Sequence, residues 1–154
     1  MNENQTKSKK QIATEYYESN FNCAQAVFTT FATEEGIPEE LALKIATQFG
    51  GGSRKGEVCG AVSGALMVLG LKYGHCHRNA PEEKARAYGI GEEFMSRFVE
   101  RNGTVVCREL LGYDLTKPED KEKIRGLGLF QTMCPKMVQS ATEIVEKMLA
   151  ESLE

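Results

Sequence analysis

Apolar positions along this chain recur every three to four residues, the spacing of a helix face, while alternating runs rich in Val, Ile and Thr are missing. Ile12 and Tyr16 mark one face of a helix over Lys9–Glu18, with Ser8 placed to cap it. Asn20 and Asn22 lie in a cap-rich break before a second helix that reaches Glu35, with Ala24, Val27, Phe28 and Phe31 along one side. Gly36 stops that helix, and Pro38 begins a third with Leu41, Ile45 and Phe49 as its apolar face, ending at Gly50-Gly51-Gly52. After a glycine-bearing loop, a fourth helix runs from Cys59 to Tyr73 and stops at Gly74. Pro81 opens a long charged helix reaching Asn102-Gly103, and Thr104 is placed to cap a short one ending at Gly112. Pro118 and Glu119 start a further segment, interrupted near Gly126 and Gly128, and Pro135 begins the last helix, which runs to the end of the chain. The pattern predicts an all-α, single-domain bundle of about seven or eight helices, with residues 1–7 as a flexible tail.

The 154 residues suffice for one domain with a real core. A formal net charge of −3 argues against nucleic acid as a partner, because phosphate binding favours a basic face. The Lys-rich stretch Met1–Gln11 lacks the apolar run of a secretion signal. The longest apolar stretch, Ala61–Leu71, is broken by Ser63, Gly64 and Gly70 and is too short for membrane insertion. These features predict a soluble cytoplasmic protein. In a reducing cytosol its five cysteines read as redox-active, metal-binding or simply buried, rather than as structural disulfides.

Four of the cysteines fall at predicted helix starts: Cys23 after the Asn20/Asn22 break, Cys59 after the glycine loop, Cys107 after Thr104, and Cys134 directly before Pro135. A helix start presents unpaired N–H groups and a partial positive charge, and both favour thiolate over thiol. Arg54, Lys55 and Arg108 carry charge of the helpful sign. The alternative for any one of these cysteines is an inert small packing residue.

The segments Asn22-Cys23-Ala24-Gln25-Ala26-Val27, Val58-Cys59-Gly60-Ala61-Val62-Ser63-Gly64-Ala65-Leu66 and Cys107-Arg108-Glu109-Leu110-Leu111-Gly112 are followed by the isolated Cys134. In order and spacing they resemble the redox family named for its C-GCAxxG-C-C cysteine pattern. The resemblance runs from Tyr16 to Met148, although this chain reads Cys-Gly-Ala at Cys59 where the family label reads Gly-Cys-Ala. It implies a helical fold, family cysteines at Cys23, Cys59, Cys107 and Cys134, and a redox role; Cys76 matches no family position. A related domain occurs in split-Soret cytochromes, which carry haem and an iron–sulfur centre. Covalent haem is excluded here, because Tyr73 stands where a Cys-x-x-Cys-His motif ending in Cys76-His77 needs its first cysteine. An iron–sulfur cluster is not excluded, since four thiolates suffice to hold one.

Gly60 and Gly64, with Ala61 and Ala65 beside them, form a small-residue stripe. Glycine inside a helix costs about 1 kcal/mol against alanine, so the stripe predicts the close approach of another helix. That approach could bring a second cysteine-bearing helix to Cys59. His75-Cys76-His77 reads as a solvated loop rather than a zinc or haem-iron site. Gly50–Gly56 evokes a phosphate loop, but Glu57-Val58 stands where Lys and then Ser or Thr are needed. It reads instead as a flexible loop giving access to Cys59, with Arg54 and Lys55 able to attract an anionic ligand. Glu82-Glu83 and Glu92-Glu93 read as a solvated face, and Met133, Met137 and Met148 as core fillers. Ile144, Val145 and Met148 could face a second subunit in a homodimer.

Three functional readings follow. The first is a thiol oxidoreductase, with Cys59 attacking, Cys23 or Cys134 resolving, and a redox partner protein or small molecule as its counterpart. The second is a metal protein holding zinc or an iron–sulfur cluster through Cys23, Cys59, Cys107 and Cys134. The third is a helical adaptor whose cysteines only pack.

Overall fold

In the computed structural model, residues 6–151 are described, and residues 1–5 of the predicted tail lie outside them. The Gln11 amide donates to Ser8 Oγ at 3.1 Å and the Gln11 side chain accepts from the Ser8 amide at 2.8 Å, so helix α1 (Lys9–Glu18) begins where its cap predicts. The other helices are α2 (Cys23–Ala32), α3 (Glu39–Ala46), α4 (Gly60–Tyr73), α5 (Pro81–Asn102), α6 (Cys107–Leu111), α7 (Pro118–Gly126) and α8 (Leu129–Ala150). The described residues thus form an all-α fold of eight helices with no strand. None of the helices is long and apolar enough to cross a membrane.

Several boundaries differ from expectation for local reasons. Helix α2 gives way to a 3-10 turn at Thr33–Glu35 before Gly36 turns the chain at φ +86°. Helix α3 likewise ends in a 3-10 turn at Thr47–Phe49. Thr104 does not cap α6: its hydroxyl accepts from the Val106 amide at 3.1 Å and donates to Glu109 at 3.0 Å, and Val106 holds the cap position. The last helix begins at Leu129, not Pro135, because Gly128 makes the turn at φ +67° and Pro135 is absorbed inside α8. There the ring withholds the donor that the Gln131 carbonyl would otherwise receive, a local cost that the rest of the helix absorbs.

Helix α2 is the hub. Every residue of it except Gln25 is buried, and it packs against α1, α3, α4 and α8. The small-residue stripe of α4 lies directly on α2: a Cβ at Gly64 would stand 2.7 Å from the Ala24 carbonyl oxygen. On α3 the face turned inward is Ala42 and Ala46, whereas Leu41, Ile45 and Phe49 are exposed, at 49%, 46% and 38%. The small alanines let α3 approach α2, and that approach leaves the large residues on the outside. The proposed subunit face on α8 is corrected in the opposite sense, since Ile144, Val145 and Met148 are buried in the chain's own core.

That core, containing Val27, Phe31, Val62, Phe94, Phe98 and Val145, is accompanied by a second, smaller apolar cluster of Cys107, Leu111, Leu115 and Ile124. Tyr113, Phe130 and Cys134 pack on the second cluster, while Cys23 and Cys59 belong to the first. The four cysteines are distributed along the seam between the two clusters.

Candidate functional site

Cys23, Cys59, Cys107 and Cys134 all line one cleft of about 1050 Å³ along this seam. Each wall of the cleft carries two of them.

Cys23 is the first residue of α2, held there by Asn22. The Asn22 side chain accepts from the Gln25 amide at 2.9 Å, the Gln25 side chain accepts from the Asn22 amide at 2.9 Å, and Asn22 Nδ2 donates to the Thr47 carbonyl at 2.9 Å. Gln25 also donates to the Leu43 carbonyl at 3.0 Å, so the same box ties α2 to the end of α3. Losing such a cap costs about 1–2 kcal/mol. Asn22→Ala is therefore expected to lower the unfolding free energy measured in urea by that amount and to slow the reaction of Cys23 at pH 6. A variant equal to wild type in both measurements would show that the box does not position the sulfur.

The Cys23 sulfur lies beside the Cys59 thiol and faces the amides of Gly51, Cys23 itself and Ala24. Together these outweigh burial and bring the Cys23 thiol down to about 6. Cys59 occupies the cap position of α4, with the Ala61 and Val62 amides toward its sulfur. The neighbouring Cys23 sulfur and the burial of Cys59 itself prevail over those amides and hold its pKa well above the usual thiol value. The two thiols are thus driven apart, Cys23 toward the thiolate and Cys59 toward the thiol.

The Gly51 amide reaches Cys23 because the chain curls left-handed there. Gly51, Gly52, Ser53 and Arg54 have φ of +64°, +60°, +55° and +66°. Ser53 and Arg54 pay a penalty of about 1–2 kcal/mol each in this region. The Glu57 amide closes the turn onto the Gly52 carbonyl at 3.1 Å, and a Cβ at Gly52 would stand 2.3 Å from the Glu57 nitrogen. What the sequence suggests as an access loop for Cys59 is a closed turn that serves Cys23 and brings Arg54 to the cleft.

Cys107 is placed by a single antiparallel bridge between Val58 and Val106. The Cys59 amide donates to the Val105 carbonyl at 2.7 Å and the Cys107 amide to the Glu57 carbonyl at 2.6 Å, which locks the start of α4 to the start of α6. Burial, and then the charges of Cys23 and Cys134, push the Cys107 thiol up to about 12, while Arg54 and Arg108 pull the other way. Arg108 is turned toward Glu57, 3.0 Å away. Cys134 lies within α8 and contacts Tyr17, whose hydroxyl donates to the Phe130 carbonyl at 2.7 Å. Burial and the Cys23 charge raise Cys134 to about 11, while the nearby Tyr17 hydroxyl pulls the other way.

The helix-start placement therefore holds for Cys23, Cys59 and Cys107 but not for Cys134, and only Cys23 gains an acidic thiol from it. Helix α6 has only five residues, and burial dominates at its first residue, Cys107. Tyr17, Lys121 and Lys136 also line the cleft. Nothing in their local sequence singles them out, since tertiary packing alone brings α1, α7 and α8 together there. Cys76 stands apart in an exposed loop, 3.9 Å from His77 Nδ1, which in turn lies 2.9 Å from Glu83.

Among the described residues no three His, Cys, Asp or Glu side chains are close enough to hold a metal ion as they stand. Zinc or an iron–sulfur cluster on these four sulfurs would require the two walls of the cleft to draw together.

A family model described as "Putative redox-active protein (C_GCAxxG_C_C)" matches residues 21–148. No curated protein and no solved structure matches the chain significantly.

Proposed function

This chain belongs to the C_GCAxxG_C_C family, and from that membership we propose that it is a dithiol oxidoreductase whose working pair is Cys23 and Cys59. The reading is carried by one observation: Cys23 and Cys59 lie side by side where the starts of α2 and α4 meet, within a cleft that also carries Cys107 and Cys134. A sulfur that faces several amide N–H groups is prepared to attack, and a thiol lying beside it is prepared to resolve. The donor set favours Cys23 over Cys59 as the attacking sulfur. Cys107 and Cys134, with their raised pKa values, are held in reserve on the opposite wall as thiols that a disulfide formed across the cleft could reach.

The test is mild oxidation followed by thiol counting and peptide mapping. A Cys23–Cys59 disulfide is expected to form first and to be reversed by a dithiol reductant. Absence of any link among these four cysteines would sink the proposal. The competing reading, zinc or an iron–sulfur cluster on the same residues, is checked on anaerobically purified protein. Stoichiometric metal that is lost when the cysteines are replaced would displace the dithiol reading.

A further inference from the structure

Resting on that dithiol reading, we propose that the cleft takes a low-molecular-weight disulfide bearing carboxylate groups and reduces it to two thiols. Three cations from separate elements line the cleft: Arg54 from the left-handed turn, Lys121 from α7 and Lys136 from α8. Glu18 is the single carboxylate among its described lining residues, and none of the three cations is ion-paired within the described residues. This local excess of positive charge runs against the chain's formal net charge of −3. Low-dielectric walls focus such a field on an incoming anion.

Size and depth argue for a small molecule. The volume of about 1050 Å³ suits a compact ligand. Cys23 and Cys59 are only 9% and 6% exposed, out of easy reach of a disulfide on a folded protein, whereas Arg54 and Lys136 are open to solvent. Leu115 and Phe130 offer apolar surface for methylene groups between sulfur and carboxylate.

The chemistry balances as follows. The Cys23 thiolate attacks one sulfur of the disulfide; the substrate S–S bond breaks, a mixed disulfide forms on Cys23, and the first product leaves as a thiolate that takes a proton from water. Cys59 then gives up its proton, its sulfur attacks Cys23 Sγ, and the second product leaves carrying that proton. The substrate gains two electrons, and the protein ends with a Cys23–Cys59 disulfide, to be reset by a dithiol reductant.

The experiment oxidises reduced full-length protein with dithiodipropionate (a dianion), bis(2-hydroxyethyl) disulfide (neutral) and cystamine (a dication), each rate being divided by that with a free model thiol. At low salt the dianion is expected to lead the dication by about tenfold or more. The preference should shrink toward unity at 1 M salt, and in a variant combining Arg54→Gln, Lys121→Gln and Lys136→Gln. Equal normalised rates for the three disulfides, or a preference untouched by salt in the wild type, would overturn the anionic substrate while leaving the dithiol reading intact. Failure of all three to oxidise the Cys23–Cys59 pair would overturn both.

Discussion

Replacing Cys23 by Ser is expected to abolish the protein's thiol reactivity at pH 6, a loss on the order of 100-fold. The comparison is made in a Cys76→Ser background, because Cys76 is exposed and would react as a free thiol. With its pKa brought down toward 6, Cys23 is substantially ionised at that pH. A free thiol near 8.5 is then ionised to less than about 1%. Expressed as a fraction of each thiol's own plateau, the rate becomes independent of how deeply the sulfur is buried. Wild type should keep a substantial part of its plateau rate at pH 6, whereas Cys23→Ser removes the one acidic thiol and leaves Cys59, Cys107 and Cys134, which burial still raises without the Cys23 charge. Cys59→Ala removes the thiol beside Cys23 and should move the midpoint of the profile upward by about one unit or more. A wild-type midpoint above about 8 would refute the thiolate assignment.

The same proton arrangement sets the pH dependence of stability. Cys23 binds its proton less tightly in the folded than in the unfolded chain, so its contribution fades as pH falls from about 8.5 through 6. Cys59, raised in the folded state, acts in the opposite sense and loses its contribution as pH rises above the unfolded thiol range. Stability from this pair should therefore be greatest in a window near pH 8, and Cys23→Ser should flatten its acid side.

Gly60→Ala is the second large effect expected. The added methyl would stand 2.6 Å from Cys23 Sγ, 2.9 Å from the Phe49 carbonyl oxygen and 3.2 Å from the Ala24 nitrogen. Two of these neighbours are backbone and cannot swing away. Overpacking of this kind costs about 3 kcal/mol, against a gain of about 1 kcal/mol in helix propensity. A net loss of about 2 kcal/mol in urea unfolding is expected, together with displacement of Cys23 and an upward shift in its reactivity profile. Gly89→Ala is the matched control: Gly89 lies inside α5 with nothing within 4 Å of its missing Cβ. It should stabilise by up to about 1 kcal/mol and leave the thiol profile unchanged. Equal effects from the two substitutions would mean that Gly60 is there for its backbone alone and not for the contact with Cys23.

Much of the helical architecture was legible in the chain because its signals are local. Ser8 and Asn22 cap through side chains three residues from their donors, Pro81 starts α5, and Gly36 and Gly112 turn the chain at positive φ. Where such a signal misled, two local rules competed. Pro135 reads as a helix start, yet Gly128 makes the turn and the proline lies inside α8. Leu41, Ile45 and Phe49 form a helical stripe, but periodicity does not say which stripe faces inward, and Ala42 and Ala46 allow the closer approach.

By themselves, then, the residues determined an all-α fold, the four cysteines set apart from Cys76 by the family pattern, and the glycine stripe that demands a close neighbour. Tertiary structure alone decided which thiol is drawn below the usual range and which are pushed above it. That outcome depends on a left-handed turn delivering the Gly51 amide to Cys23, on Gly60 admitting the Cys23 sulfur beside Cys59, and on burial raising Cys107 and Cys134. Helix-start position is read from neighbours in the chain, but a thiol's acidity is set by donors, charges and solvent exclusion from elements far away in it, and those exist only once the helices have packed.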